Sequence, residues 1–301
     1  MIRKILAPLD GSELAEAVLP YVAETAARTG AEVVLLTSIQ PIGVWEATAA
    51  VLNLSQEEEL ALQYLDGQVG RLRAQGISTR SRVVHGDAAA AILDAAADEA
   101  ADLVAMSSHG RSGITRWLFG SVTDRVLHNT DIPLLIVRPP AKGQPAPSPE
   151  FKKILVPLDS SPVAEAILPF VEAVAKAFGS SLALYHAVPP LLAYPGFEPV
   201  QPAYTGNLLE EMQKQAREFL TRVGKDMESR GFEVALLTSV DLAVDGILSA
   251  AEEVGADLIA VSTHGRSGIG RAVIGSVADA VVRRATLPCL LVNPTRARPR
   301  K

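Results

Sequence analysis

The sequence predicts an α/β fold built twice, each copy a five-stranded parallel, doubly wound sheet with helices on both faces. Three observations carry this. Ile5-Leu6-Ala7-Pro8-Leu9-Asp10 recurs as Ile154-Leu155-Val156-Pro157-Leu158-Asp159, and Ser108-His109-Gly110-Arg111-Ser112-Gly113 recurs as Thr263-His264-Gly265-Arg266-Ser267-Gly268. Short apolar runs such as Val33-Val34-Leu35-Leu36 and Leu258-Ile259-Ala260-Val261 have no polar alternation, which is the pattern of strands covered on both faces. Longer helical segments separate these runs, and strand-helix-strand repetition implies parallel pairing through crossovers.

In order, the first copy reads as strands at 3-9, 32-39, 79-85, 102-107 and 133-138, and the second at 152-158, 181-187, 232-239, 257-262 and 288-293. Ser55 and Glu58 have capping-box spacing ahead of Leu60, Leu62, Tyr64, Leu65 and Val69, and an alanine-rich helix is expected over 87-100. Gly30, Gly76, Gly179 and Gly231 fall where helices should stop. The stretches 40-54 and 189-207 are the least regular. Long loops beside the carboxyl ends of parallel strands commonly act as lids or partner surfaces.

The chain has 301 residues, enough for two cores. The reading assigns a first domain at 1-139, a proline-rich linker at 140-150, a second domain at 151-295 and a basic tail at 296-301. The linker prolines favour an extended chain able to span about 30 Å. Anchors lie 149 residues apart at the amino-terminal end of the copies and 155 apart at the carboxy-terminal end, so the second copy carries six extra residues.

A formal charge of −6 and one cysteine, Cys289, argue against a nucleic-acid footprint and an internal disulfide framework. The opening Met1-Ile2-Arg3-Lys4-Ile5 runs directly into a strand, and no apolar stretch approaches membrane-spanning length. A cytoplasmic protein without nucleic-acid or membrane partners is expected.

Asp10 and Asp159 follow the first strand of their copies. Each has two readings: a helix cap, or a carboxylate that accepts hydrogen bonds from a ligand at the carboxyl edge of the sheet. After the fourth strand come Ser107-Ser108-His109-Gly110 and, nine residues later, Gly120-Ser121; the second copy has Ser262-Thr263-His264-Gly265 and then Gly275-Ser276. Glycines admit close approach of phosphate oxygens to backbone N–H groups, and a helix start adds its positive dipole end. The plainer reading makes turns of the glycines, and capping boxes of Ser121 with Asp124 and Ser276 with Asp279. His109 and His264 lack a local partner at metal-ligand spacing, which leaves loop structure or a ligand hydrogen bond. Other phosphate-loop, dinucleotide and nucleophile-elbow motifs are missing. A binding protein is expected rather than an enzyme, with at most slow, incidental ATP hydrolysis.

The strand ending Pro-x-Asp, the x-x-His-Gly-Arg-Ser-Gly loop, the Gly-Ser-Val helix start and the closing Pro-x-Leu-x-Val strand together resemble the universal stress protein family, and two copies resemble its tandem members. The resemblance implies Rossmann-like domains of adenine-nucleotide-hydrolase-like topology, which pair through their last strands into an internal pseudo-dimer. It also implies a regulatory role in stress response through ligand-dependent association, with a protein partner or a homodimer.

The implied ligand is ATP, ADP or AMP, with Mg²⁺ held through the phosphates rather than by protein ligands. The implied site comprises Pro8, Asp10, Ser38, Ser107, His109, Gly110, Gly113, Gly120, Ser121 and Val122 in the first copy. In the second it comprises Pro157, Asp159, Ala187, Ser262, His264, Gly265, Gly268, Gly275, Ser276 and Val277. The chain departs from the family's Gly-x-x-Gly loop at its leading glycine, which is Ser107 and Ser262. A serine forced into left-handed dihedrals there would cost about 1 to 2 kcal/mol. The turn His85-Gly86-Asp87 also has no glycine counterpart in Val240-Asp241-Leu242, which favours the first copy as the better-formed nucleotide site. The alternative is an interaction scaffold in which the two serines have closed the site.

Overall fold

Strand 1 of each repeat sets the frame. In the computed structural model, residues 2–40, 47–109, 120–140, 148–190, 202–263 and 274–293 are described. The chain divides near residue 150 into two compact units.

The first unit runs β1 (Lys4–Pro8), α1 (Glu13–Glu16), α2 (Leu19–Thr29), β2 (Glu32–Ile39), α3 (Ala47–Ala74), β3 (Thr79–His85), α4 (Ala88–Asp98), β4 (Leu103–Ser107), α5 (Ser121–Asn129) and β5 (Leu134–Val137). Its strands are ordered β3-β2-β1-β4-β5, and every pairing is parallel. The second unit repeats it with β6 (Lys153–Pro157), α6 (Pro162–Glu165), α7 (Leu168–Phe178), β7 (Ser181–Val188), α8 (Pro202–Ser229), β8 (Val234–Val240), α9 (Ala243–Val254), β9 (Leu258–Ser262), α10 (Ser276–Arg284) and β10 (Cys289–Val292). Its order is β8-β7-β6-β9-β10, again all parallel.

The apolar runs are the core. Ile5, Leu6, Val33, Val34, Leu35, Val104 and Leu134 are fully buried, as are Ile154, Leu155, Ala183, Leu184 and Leu258. Each such leucine or isoleucine contributes about 2 kcal/mol by leaving water. Helices stop where glycine supplies the left-handed turn: Gly30 has φ +71 and Gly179 has φ +66, each donating back into the last turn of its helix. An L-residue with a side chain would be strained there.

Two sequence expectations are corrected. Ser55 does not start a helix, because α3 already begins at Ala47. The run Ala47-Thr48-Ala49-Ala50-Val51-Leu52 is a good helix former and extends the helix backwards past the capping-box pair. Likewise α8 starts at Pro202, where proline's fixed φ and missing N–H suit a first helical position. Both irregular stretches are therefore shorter than 40-54 and 189-207; what remains of them, like the linker at 141-147, lies outside the described residues.

This strand order positions the site. The chain fills one side of β1 first, with β2 and β3, then crosses to β4 and β5 on the other. The connections leaving β1 and β4 therefore diverge, and open sheets bind ligands in the crevice left at that switch point.

Candidate functional site

Asp10 leaves β1 at this crevice, and its carboxylate is held locally. Its Oδ1 accepts from the Ser12 backbone N–H at 3.0 Å and the Ser12 hydroxyl at 2.6 Å. Ser12, not Asp10, is the N-cap of α1, accepting from the Ala15 N–H. The second unit repeats this through Asp159 and Ser161, at 3.0 and 2.5 Å. The helix-cap reading of the aspartates is thus corrected: serine, two residues on, takes that role and in doing so orients the carboxylate. Both aspartates line their cavities.

Gly120 caps α5 and Gly275 caps α10, with no side-chain cap on either helix. The capping boxes expected from Ser121 and Ser276 do not form, because each serine already occupies the first helical position. Asp279 instead accepts from the Arg283 guanidinium. An α-helix leaves its first N–H groups without intrahelical partners, and these carry the positive end of the dipole. The Gly120 N–H bonds the Ser108 carbonyl at 3.0 Å, and the Gly275 N–H bonds that of Thr263 at 2.6 Å. Those bonds fix each helix start against the end of β4 or β9. A methyl group at residue 275 would come 3.3 Å from the Thr263 carbonyl, a tight contact that glycine avoids.

Ser107 and Ser262 are the last residues of β4 and β9. Neither has positive φ, which among described non-glycine residues occurs at Ala100 and Ser160. The strain a serine could have introduced is therefore absent. Ser107 is buried; its carbonyl accepts from Thr123 and its hydroxyl faces the His109 N–H. The Ser108 hydroxyl lies 2.9 Å from His109 Nδ1 and steadies the imidazole at the cavity wall.

These elements enclose a cavity of about 250 Å³ in the first unit and one of about 340 Å³ in the second. The first brings together Pro8, Asp10, Ser38, Ser107, His109, Gly120, Ser121 and Val122. The second brings together Pro157, Asp159, Ala187, Ser262, Gly275, Ser276 and Val277. Gly110, Gly113, His264, Gly265 and Gly268 lie outside the described residues. Sequence reasoning missed the apolar wall: Leu36, Ala88, Ile92 and Met106 in the first, with Tyr185, Ala243, Ile247 and Val261 in the second. Their apolar periodicity reads simply as core, and only the strand order shows that they border a crevice.

The rims differ. In the first unit Ser38 donates to the Gly86 carbonyl at 2.8 Å, Gly86 has φ +127, and Asp87 caps α4 while accepting from Arg125 at 2.6 Å. Arg125, with help from the Ala90 N–H, holds the Asp87 carboxyl below its ordinary range. In the second unit Leu242 caps α9 without a side-chain bond, and Arg284 reaches Asp245 at 2.5 Å instead.

Residues 1–138 and 150–293 each match the Universal stress protein family. The chain belongs to the universal stress protein family, as a tandem member. It is 25% identical over 299 residues to a universal stress protein of Mycolicibacterium smegmatis, which covers 96% of this chain and 97% of that protein. A universal stress protein of Thermus aquaticus is 34% identical over 143 residues, 48% of this chain and 99% of its own length. The crystal structure of a universal stress protein from Archaeoglobus fulgidus superposes with a TM-score of 0.73 at 23% identity, covering 97% of this chain and 98% of that one. That likeness concerns the fold. Among the described residues no helix is long and apolar enough to cross a membrane.

Proposed function

We propose that this tandem universal stress protein binds adenine nucleotide, with ATP as the reference ligand, and that occupancy regulates its association with a partner in the stress response. The observation that carries the reading is the convergence, in each unit, of an oriented aspartate, the end of the fourth strand and an uncapped helix start on one cavity at the topological switch point. The helix start suits phosphate oxygens, since N–H groups and dipole both favour an anion. The apolar wall on the far side suits a flat base, and Asp10 or Asp159 at the rim suits ribose or base N–H and O–H donors. Hydrogen bonds to charged groups contribute about 1.5 to 3 kcal/mol each, so three or four support micromolar affinity.

Mg²⁺ is expected to arrive on the phosphates. The reading is of binding and release rather than turnover. A cytoplasmic location belongs to the same reading. Calorimetric titration with MgATP tests it: saturable binding at micromolar to sub-millimolar nucleotide is expected. No heat at millimolar ATP or ADP would favour the interaction scaffold.

A further inference from the structure

Three differences between the two repeats fall on one another in space. Leu36 pairs with Arg82 and Ser38 with Val84, while Tyr185 pairs with Leu237 and Ala187 with Ser239. Tyr185 and Ser239 therefore stand where the first unit has Leu36 and Val84. In α9, Gly246 precedes the cavity residue Ile247, whereas in α4 Ala91 precedes its counterpart Ile92. The three substitutions are coupled by contact. The Tyr185 hydroxyl lies 2.6 Å from the Ser239 hydroxyl, and a methyl group at residue 246 would fall 2.0 Å from the same phenolic oxygen. Glycine in α9 opens the slot into which the phenol tip fits.

The larger residue consequently does not fill the cavity it borders. Tyr185 is 2% exposed and its tip is directed under α9. Elsewhere the wall loses bulk, with Val261 for Met106, Ala278 for Thr123 and Ala187 for Ser38, so the second cavity is the larger, about 340 against 250 Å³. It is also less polar, since the Ser38 and Thr123 hydroxyls have no counterparts. Tyr185 on β7 is two strands, roughly 10 Å, from β9, and the residue after β9, Thr263, holds the helix start that suits phosphate. Tyr185 lies at the base end.

We infer that the second site, where Ser239 and Gly246 hold the Tyr185 phenol clear of a cavity widened by Val261, Ala278 and Ala187, accepts a nucleotide with a bulkier, apolar-substituted aromatic base that the first site refuses. This rests on the nucleotide reading above.

The test uses the full chain with ATP and N6-benzyl-ATP as probes. ATP should saturate at two per chain and N6-benzyl-ATP at one, and that one should persist when G120V disables the first site. On the G120V background, G246A should push the phenol into the cavity and weaken N6-benzyl-ATP by about tenfold or more. Adding Y185L, which copies the first unit's Leu36 and Ala91, should restore both the wild-type melting temperature and at least part of that affinity. Binding of the analogue at both sites or at neither, an unchanged affinity in G246A, or no recovery with Y185L would overturn the inference while ATP binding stands. No binding of ATP would overturn the nucleotide reading and this inference with it.

Discussion

Gly120 and Gly275 stand at the start of the helices that face the cavities, and a β-branched side chain there would project where ligand oxygens should approach. G120V is expected to weaken ATP binding more than G275V, because Ser38, tied to the Gly86 turn, lines the first cavity where the second has Ala187 and no glycine turn. Calorimetry on both variants checks this, and equal losses or the reverse order would contradict it. At the aspartates, D10A should both weaken nucleotide and loosen α1, since the same oxygen fixes the capping Ser12. Loss of that orientation should cost about 1 kcal/mol of stability, read from denaturant melts. Much of the candidate site was legible at this scale: Asp10, Ser107 and Gly120, fixed by motif spacing, line the cavity, while Gly110 and Gly265 lie outside the described residues. The roles of Ser12 and Ser161 were not, because aspartate and serine are equally good caps and only the backbone turn decides between them.

Among the elements, β3 carries the clearest electrostatic arrangement. Arg80 pairs with Glu99 and Glu32, Arg82 with Glu99 and Asp98, and Lys4 with Glu32 and Glu99. The Arg80 guanidinium, more than any other group, holds the partly buried Glu99 carboxyl below its ordinary value of 4.5. Because the folded value is the lower one, the stabilisation is complete above the unfolded carboxylate range and is lost as pH falls through the folded value. E99Q should therefore destabilise the first unit by about 1 kcal/mol at pH 7 and progressively less below about pH 4, as followed by thermal melts. Equal destabilisation at both pH values would show that packing, not charge, is responsible. In β8 the matching positions are Ala235 and Leu237, and Leu236 is exposed on the same strand. Charges on an outer strand discourage unwanted pairing, and the two units differ in that respect. Strands were read to within a residue or two because apolar runs signal most of them directly, β3 with its two arginines being the exception. Helix starts at Ala47 and Pro202 were not, since helix propensity carried α3 past its best capping signal and proline in α8 begins a helix as readily as it breaks one.

Across the whole molecule, duplication made the fold legible: each motif appears twice, and the five-strand pattern of one repeat checks the other. L35A, in the fully buried β2, should cost about 3 kcal/mol and lower the first unfolding transition without abolishing ligand binding by the second unit. Duplication alone could not show how the repeats diverge. Tyr185 is 54 residues from Ser239, and with Gly246 the three read individually as a core tyrosine, a strand serine and a helix glycine; their contact exists only in three dimensions. The most direct measurement of the central claim is native mass spectrometry of the full chain equilibrated with MgATP. The account predicts adducts of one and then two nucleotides per chain as concentration rises, the first of them lost in G120V. A spectrum showing only the unliganded mass at millimolar MgATP would contradict it.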